Sequence, residues 1–122
     1  MSAILNFIPS DGNYRFSSEL TLSDNTADVF TFDVRWNGRD YNDGAWYFDM
    51  YDSDGILLVA GVKIVLNVSL GRRAAHPFFN NNAIIAIDTS LDNLDPGFDD
   101  LGTRVQVWHF TKTDLAALIT RA

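Results

Sequence analysis

The chain has 122 residues, a formal net charge of -7 and no cysteine. At this length it forms one domain, residues 1–122, that is long enough to bury a core. Its acidity argues against the basic surface that neutralises nucleic-acid phosphates, and the lack of cysteine excludes disulfides and cysteine metal sites. Hydrophobic residues make up 47% of the chain, which excludes a disordered body.

The N-terminal segment, MSAILNFIPSD, contains a short apolar run and no basic residue. We therefore expect no signal peptide, no membrane-spanning segment and synthesis in the cytoplasm. The apolar run is a candidate edge strand, because turn-forming residues follow it at 9–13. Residues 14–22 and 29–36 then alternate apolar and polar side chains, which predicts two strands that each bury one face.

Residues 45–65 contain two apolar-aromatic runs joined at Asp54-Gly55, a pair that predicts a β-hairpin with a two-residue type I′ turn. The resulting register places Met50 opposite Val59, Phe48 opposite Gly61, and Trp46 opposite Lys63. Period-two alternation assigns to the core face Trp46, Phe48, Met50, Leu57 and Val59. The other face contains Tyr47, Asp49, Tyr51, Ile56, Leu58 and Val62, a mixture that suits a surface covered by another chain or by more of this one.

The second arm of this hairpin is expected to continue to Val68 as a strand covered on both sides. Residues 70–82 predict an irregular loop, and two further strands are expected at 83–88 and 103–110, separated by the acidic loop 92–100. Because no helical crossover separates the strands, the fold class is all-β. We predict a small antiparallel β-sandwich or barrel of about six or seven strands, with its core in 14–110.

The tail, residues 113–122, changes to a helical period, with Thr113 as a candidate cap. It predicts a short C-terminal helix with one apolar stripe, formed by Leu115, Leu118 and Ile119. A helix of this length is marginal alone, so the stripe must dock on another surface.

The sequence offers little for catalysis or for metal binding. An EF-hand interpretation of Asp52 and Asp54 would place Met50 and Gly61 at ligand positions, and neither Ser69 nor Ser90 lies in a nucleophile-elbow motif. We therefore expect no enzyme, no cofactor and no metal, although a cation in the acidic loop 92–100 stays an open alternative. Aromatic side chains on a β scaffold also leave carbohydrate or receptor binding open, with Trp36, Tyr47, Tyr51 and Trp108 as candidate stacking residues.

Three ordered segments, FTFDVRWNGRD, AWYFDMYDSDGILLVAGVKIV and LDNLDPGFDDLGTRVQVWHF, resemble the small baseplate plug proteins of contractile-tailed phages of the cyanophage type. The matching features are Trp36-Asn37 at a strand end, Trp46 opening the strand that leads to Asp52-Ser53-Asp54-Gly55, the following Gly61, and Asp100-Leu101-Gly102 before the final strand. The resemblance covers residues 30–110.

This resemblance implies a structural subunit of the phage tail baseplate, a virion protein near the central hub and spike, without catalysis or a cofactor. Its partners would be the hub, spike and tail tube proteins, and self-association stays open. The residues suggest three contact surfaces: the Tyr47 and Tyr51 face, the 71–82 loop, and the tail stripe. The candidate interface residues are Tyr47, Tyr51, Arg72, Arg73, Phe78, Phe79, Leu115, Leu118 and Ile119.

Overall fold

Two antiparallel sheets enclose the core in a computed structural model that describes residues 3–5, 7, 12–22, 26–38, 44–71, 77–90, 94–112 and 114. The elements in chain order are β1 (Ala3–Leu5), β2 (Asn13–Thr21), β3 (Ala27–Asn37), β4 (Ala45–Tyr51), β5 (Leu57–Lys63), α1 (Phe78–Asn81), β6 (Asn82–Asp88) and β7 (Val105–Thr111). The predicted all-β class is confirmed, and the two separate sheets make the fold a sandwich.

The sheets differ in how their strands are connected. One contains four strands in the sequential order β2-β3-β4-β5, and the other contains three in the order β1-β7-β6. The chain crosses between them after β5, where Leu66 forms an isolated parallel bridge with Ala86. The strand expected to run to Val68 therefore ends at Lys63, because the following residues leave the first sheet to reach the second.

The core lies between the inward faces of the two sheets, and aromatic rings fill much of it. Phe7 packs edge-on against Phe16, Phe32 and Phe48, with ring centroids 5.1, 5.2 and 5.4 Å away. The three-stranded sheet contributes aliphatic side chains such as Val107, which is fully buried. Burial of each such large side chain stabilises the fold by about 1.5–3 kcal/mol. Because the alternating sequence gives each sheet one apolar face, burial of these faces explains why the two sheets pack against each other.

The central hairpin is confirmed, but its turn is longer than predicted. Asp52 and Ile56 close a loop of three residues, in which the Asp52 N–H donates to the Ile56 carbonyl and the Gly55 N–H donates to the Asp52 carbonyl. Among the described residues of this turn only Gly55 has a positive φ, 78°, so the expected type I′ turn is wrong. A three-residue loop with glycine at the left-handed position is the next common hairpin turn, and its twist also suits the strands.

Two register shifts in β5 alter the predicted faces. Met50 lies opposite Val59 as predicted, but Phe48 pairs with Val62 rather than Gly61, and Lys63 pairs with Tyr47 rather than Trp46. Each shift inserts one residue, which reverses the side-chain alternation beyond it. As a result Leu57, expected in the core, is 47% exposed. Two residues expected on the outer face instead pack against the core, namely Leu58 and Val62.

A reciprocal pair of hydrogen bonds marks a helix start directly after β7. The Asp114 N–H donates to the Thr111 hydroxyl at 3.2 Å, and the Thr111 N–H donates to the Asp114 carboxylate at 3.0 Å. This is a capping box, which satisfies two backbone donors at a helix N-terminus. The structure thus assigns the cap to Thr111; Thr113, predicted as the cap, and residues 115–122 lie outside the described residues.

Gly44 provides a test of packing at the start of β4. Its φ is +111°, and an added Cβ would lie 2.4 Å from Cζ2 of Trp36 and 2.9 Å from the Asn37 carbonyl oxygen. We predict that Gly44→Ala lowers the free energy of unfolding by about 2–4 kcal/mol, since backbone strain and a steric clash add together. Gly55→Ala is the matched control, because that position has a φ of +78° but open space around it. Chemical denaturation should show a loss of only about 1 kcal/mol for the control, and equal losses would contradict the packing argument.

Candidate protein-binding surfaces

The outer face of the four-stranded sheet contains Tyr47 and Tyr51, as predicted, but ion pairs dominate it. Arg15 donates two hydrogen bonds of 2.6 Å to the Asp33 carboxylate, and its guanidinium carbon lies 5.6 Å from the centre of the Tyr51 ring. Arg35 lies 3.0 Å from Asp49 on the same face. These four charges balance, so the face is a polar, charge-compensated surface that contains two half-buried tyrosines.

The electrostatics of this face follow from its register, which brings Arg15, Asp33 and Asp49 into one row across three strands. The hydrogen bonds from Arg15 lower the pKa of Asp33 below its usual range. Asp49 also accepts the N–H of Gly61 at 2.7 Å, which ties the shifted part of β5 to β4. Surface ion pairs of this kind each contribute under about 1 kcal/mol to the stability of the fold. Their main effect is therefore to make this face polar and charged.

The two phenylalanines of the predicted loop surface pack largely inward. Phe79 is buried, and its ring lies close to Gly71, where an added Cβ would be 2.8 Å from Cζ. Phe78 is half-buried, with its ring 5.2 Å from Phe30 and 6.2 Å from His109. These two rings therefore anchor α1 to the core. The remaining predicted contact residues lie outside the described residues: Arg72, Arg73, Leu115, Leu118 and Ile119.

His109 is a fully buried polar residue near the C-terminal end of β7. Its Nε2 lies 2.9 Å from the Asn82 side-chain oxygen, while the Asn82 amide nitrogen donates to the Phe78 carbonyl. This orientation of the amide makes Nε2 the donor, so the proton lies on Nε2 and Nδ1 carries a lone pair. Nδ1 has no hydrogen-bond partner among the described residues. Burial lowers the pKa of His109 to about 4, although Asp114 acts in the opposite direction.

A second polar network, which sequence reasoning missed, centres on Arg104. Its guanidinium donates to Asp88 at 2.5 Å and to Asp100 at 3.0 Å. It also donates to the backbone carbonyls of Leu94 and Asp95, at 2.9 and 3.2 Å. The side chain of Asp88 is only 2% exposed and that of Arg104 16%, so the pair is shielded from water. The only signal in the sequence was the four-residue spacing of Asp100 and Arg104, because Asp88 is 16 positions away.

Opposing effects act on the pKa of Asp88. Burial would raise this pKa, but hydrogen bonds from the hydroxyl and N–H of Ser90 and from Arg104 outweigh burial and hold it at about 2. The pKa of Asp100 is also lowered, by the hydrogen bond from Arg104 and that from the Gly97 N–H. Both carboxylates are therefore ionised at neutral pH and committed to structural bonds.

An aromatic cluster, formed by Trp36, Trp46 and Phe98, lies beside the Arg104 network. The acidic loop connects the two. The Trp46 indole donates to the Gly97 carbonyl at 2.9 Å, and Phe98 stacks on Trp46 with centroids 5.6 Å apart. Trp36 completes the cluster, 5.4 Å from Trp46 and 5.5 Å from Phe98. Trp46 is thereby almost completely buried, whereas Phe98 remains 47% exposed and Leu94 64% exposed.

Two described carboxylates of the acidic loop accept hydrogen bonds from other parts of the chain. Asp95 accepts the Leu66 N–H at 3.0 Å, and Asp100 is bound by Gly97 and Arg104. Within the described ranges, no three histidine or acidic side chains converge as metal ligands. The described part of the chain also contains no helix with the length and apolar character needed to span a membrane.

The Arg104 network generates a stability prediction. We expect Asp88→Asn to lower the melting temperature by about 10 °C at pH 7, because it leaves a shielded guanidinium without its closest counter-ion. Asp33→Asn is the matched control, since it breaks an exposed pair in which the Arg15 side chain is 64% accessible. The control should lose under about 3 °C in circular dichroism melts. Similar losses for the two variants would contradict a special role for the shielded pair.

His109 generates a prediction about pH. Its folded-state pKa of about 4 lies below the ordinary value of 6.5, so the unfolded chain binds a proton first as the pH falls. The contribution of His109 to the free energy of unfolding should therefore be constant above pH 6.5. It should then fall by roughly 3 kcal/mol by pH 4. The lowered carboxylate pKa values, such as that of Asp88, act below this window.

His109→Gln is the informative variant, because glutamine retains a donor for Asn82 but does not titrate. Urea unfolding at half-unit pH steps should show a flatter dependence between pH 6.5 and 4 for this variant than for the unmodified chain. The same slope in both proteins would show that His109 is not the group responsible.

A model of one known protein family matches most of the chain. The family model described as "Cyanophage baseplate Pam3 plug gp18" matches residues 3–112. No curated protein matches the sequence. The match begins in β1 and ends just after β7, so it includes both sheets, the Arg104 network and the aromatic cluster. Because the match covers most of its length, the chain belongs to the family of the cyanophage Pam3 baseplate plug gp18.

Proposed function

We propose that this chain is a structural subunit of a contractile phage tail baseplate, close to the central hub and spike, and that it acts through protein contacts without catalysis. The observation that carries the proposal is the match of a baseplate plug family to residues 3–112. A subunit of this kind needs a stable framework with several modest contact surfaces, since it holds several neighbours in a fixed geometry.

The polar groups of the described core support a structural rather than a catalytic role. Asp88 and Asp100 are bound by Arg104, and His109 is fully buried against Asn82. A general base must reach a proton on its substrate and have a pKa near the working pH. His109 meets neither requirement, because it is buried and its pKa is about 4.

Three surfaces are proposed as contacts with the hub, spike, tail tube or a second copy of the chain. The first is the charge-compensated face around Tyr47 and Tyr51, and the second is the loop that contains Arg72 and Arg73. The third is the tail stripe, for which the capping box at Thr111 and Asp114 supports a helix start. Burying its three aliphatic side chains against a neighbour would contribute roughly 4 to 8 kcal/mol before ordering costs.

Quantitative mass spectrometry of purified tailed particles tests this proposal. We expect peptides of this chain at a fixed, low ratio to the tail tube protein. Leu118→Asp should reduce that ratio by at least about tenfold, because a charge cannot replace a buried leucine, while the purified variant keeps its β-sheet spectrum. Leu118→Met is the matched control, and its ratio should equal that of the unmodified chain.

Two outcomes would contradict parts of the proposal. Normal incorporation of Leu118→Asp would remove the tail stripe as a contact. Absence of the unmodified chain from mature particles would overturn the baseplate assignment itself, and glycan binding by Tyr51 and Trp108 would then be the alternative to test.

A further inference from the structure

The loop 94–101 exposes apolar side chains although its backbone is held tightly. The side chain of Leu94 is 64% exposed and that of Phe98 47% exposed. The Leu94 carbonyl is nevertheless bound by Arg104, and the Gly97 carbonyl by the Trp46 indole. The same loop buries Leu101 in the core, so it is firmly seated on the sandwich.

This fixation lowers the cost of binding a partner. Association loses affinity when side chains and loops must be ordered at the interface, and rigid apolar anchors avoid much of that loss. Interface residues that dominate binding are typically well-ordered large side chains near the centre of a contact. Phe98 fits this description, because its ring is stacked on Trp46 and packs edge-on against Trp36 while the residue remains 47% exposed.

The charges beside these two side chains indicate what kind of surface they fit. Asp95 and Asp99 are exposed in the same loop, and neither has a cationic partner among the described residues. Asp88 and Asp100, by contrast, share Arg104 as a counter-ion. The loop therefore presents apolar anchors beside two carboxylates that lack a cationic partner in the described part of the chain, whose full sequence has a net charge of -7.

We propose that Leu94 and Phe98 dock into an apolar recess of a neighbouring baseplate subunit, and that lysine or arginine side chains around this recess pair with Asp95 and Asp99. The inference rests on the proposed function and adds the surface and the chemistry of one partner. Complementary charge at the rim would guide association and fix its orientation, while the apolar anchors supply most of the affinity.

A competition experiment in cells tests the inference. The unmodified chain and one variant are produced together in a host that assembles tailed particles. Their ratio is then measured by mass spectrometry in the lysate and in purified particles. Leu94→Ser and Asp99→Lys are the test variants, because their side chains are exposed and the backbone bonds of the loop remain. Ile4→Ser is the matched control, since Ile4 is 54% exposed on β1 of the three-stranded sheet and lies in none of the proposed contact surfaces.

We expect Leu94→Ser and Asp99→Lys to be depleted about tenfold or more in particles relative to the lysate, and Ile4→Ser to keep a ratio near one. Equal incorporation of Leu94→Ser, or a depletion no larger than that of Ile4→Ser, would overturn the inference alone. Depletion of Leu94→Ser without depletion of Asp99→Lys would overturn the basic character of the partner. Absence of the unmodified chain from particles would overturn the proposed function and the inference with it.

Discussion

The shielded ion pair between Asp88 and Arg104 is the interaction on which the rest of this structure depends. A guanidinium largely shielded from water needs hydrogen-bond partners and a counter-ion, because an unpaired buried charge costs several kcal/mol. Here the partners are two carboxylates and two backbone carbonyls of the loop 94–101. The requirement to satisfy one side chain therefore fixes the loop, the end of β6 and the start of β7 relative to one another.

The aromatic end of the sandwich follows from that constraint. With the loop in place, the Gly97 carbonyl accepts the Trp46 indole and Phe98 covers the Trp46 ring. Several residues that carry the family resemblance are thereby brought together from distant parts of the chain, namely Trp36, Trp46 and Asp100. They meet through Gly97, whose carbonyl accepts the Trp46 indole and whose N–H donates to Asp100.

Local pattern was sufficient to predict most of the strands and the sandwich class. Alternation identifies a strand with one buried face, and Asp54-Gly55 identified the central hairpin. The register on either side of Met50 could not be predicted, because a β-bulge cannot be identified from residue types alone. Each bulge nevertheless moves the side chains beyond it to the opposite face of the sheet. Leu57 and Val62 were consequently assigned to the wrong faces.

The polar features were less accessible to sequence reasoning. Asp88 and Arg104 come together only after β6 and β7 pair, since Asp88 lies opposite Val105 in that register. The face with Tyr47 and Tyr51 was identified as a surface, but its arginine and aspartate pairs depend on strands β2 and β3 lying beside it. Contacts between distant residues are set by topology, and topology is read with less certainty than local structure.

The most direct test of the central claim is a cryo-electron microscopy reconstruction of the intact tail at side-chain resolution. We predict density for this β-sandwich within the baseplate, close to the hub and spike, with its surface side chains in contact with neighbouring subunits. A baseplate resolved to the same detail in which no density fits the sandwich would contradict the account.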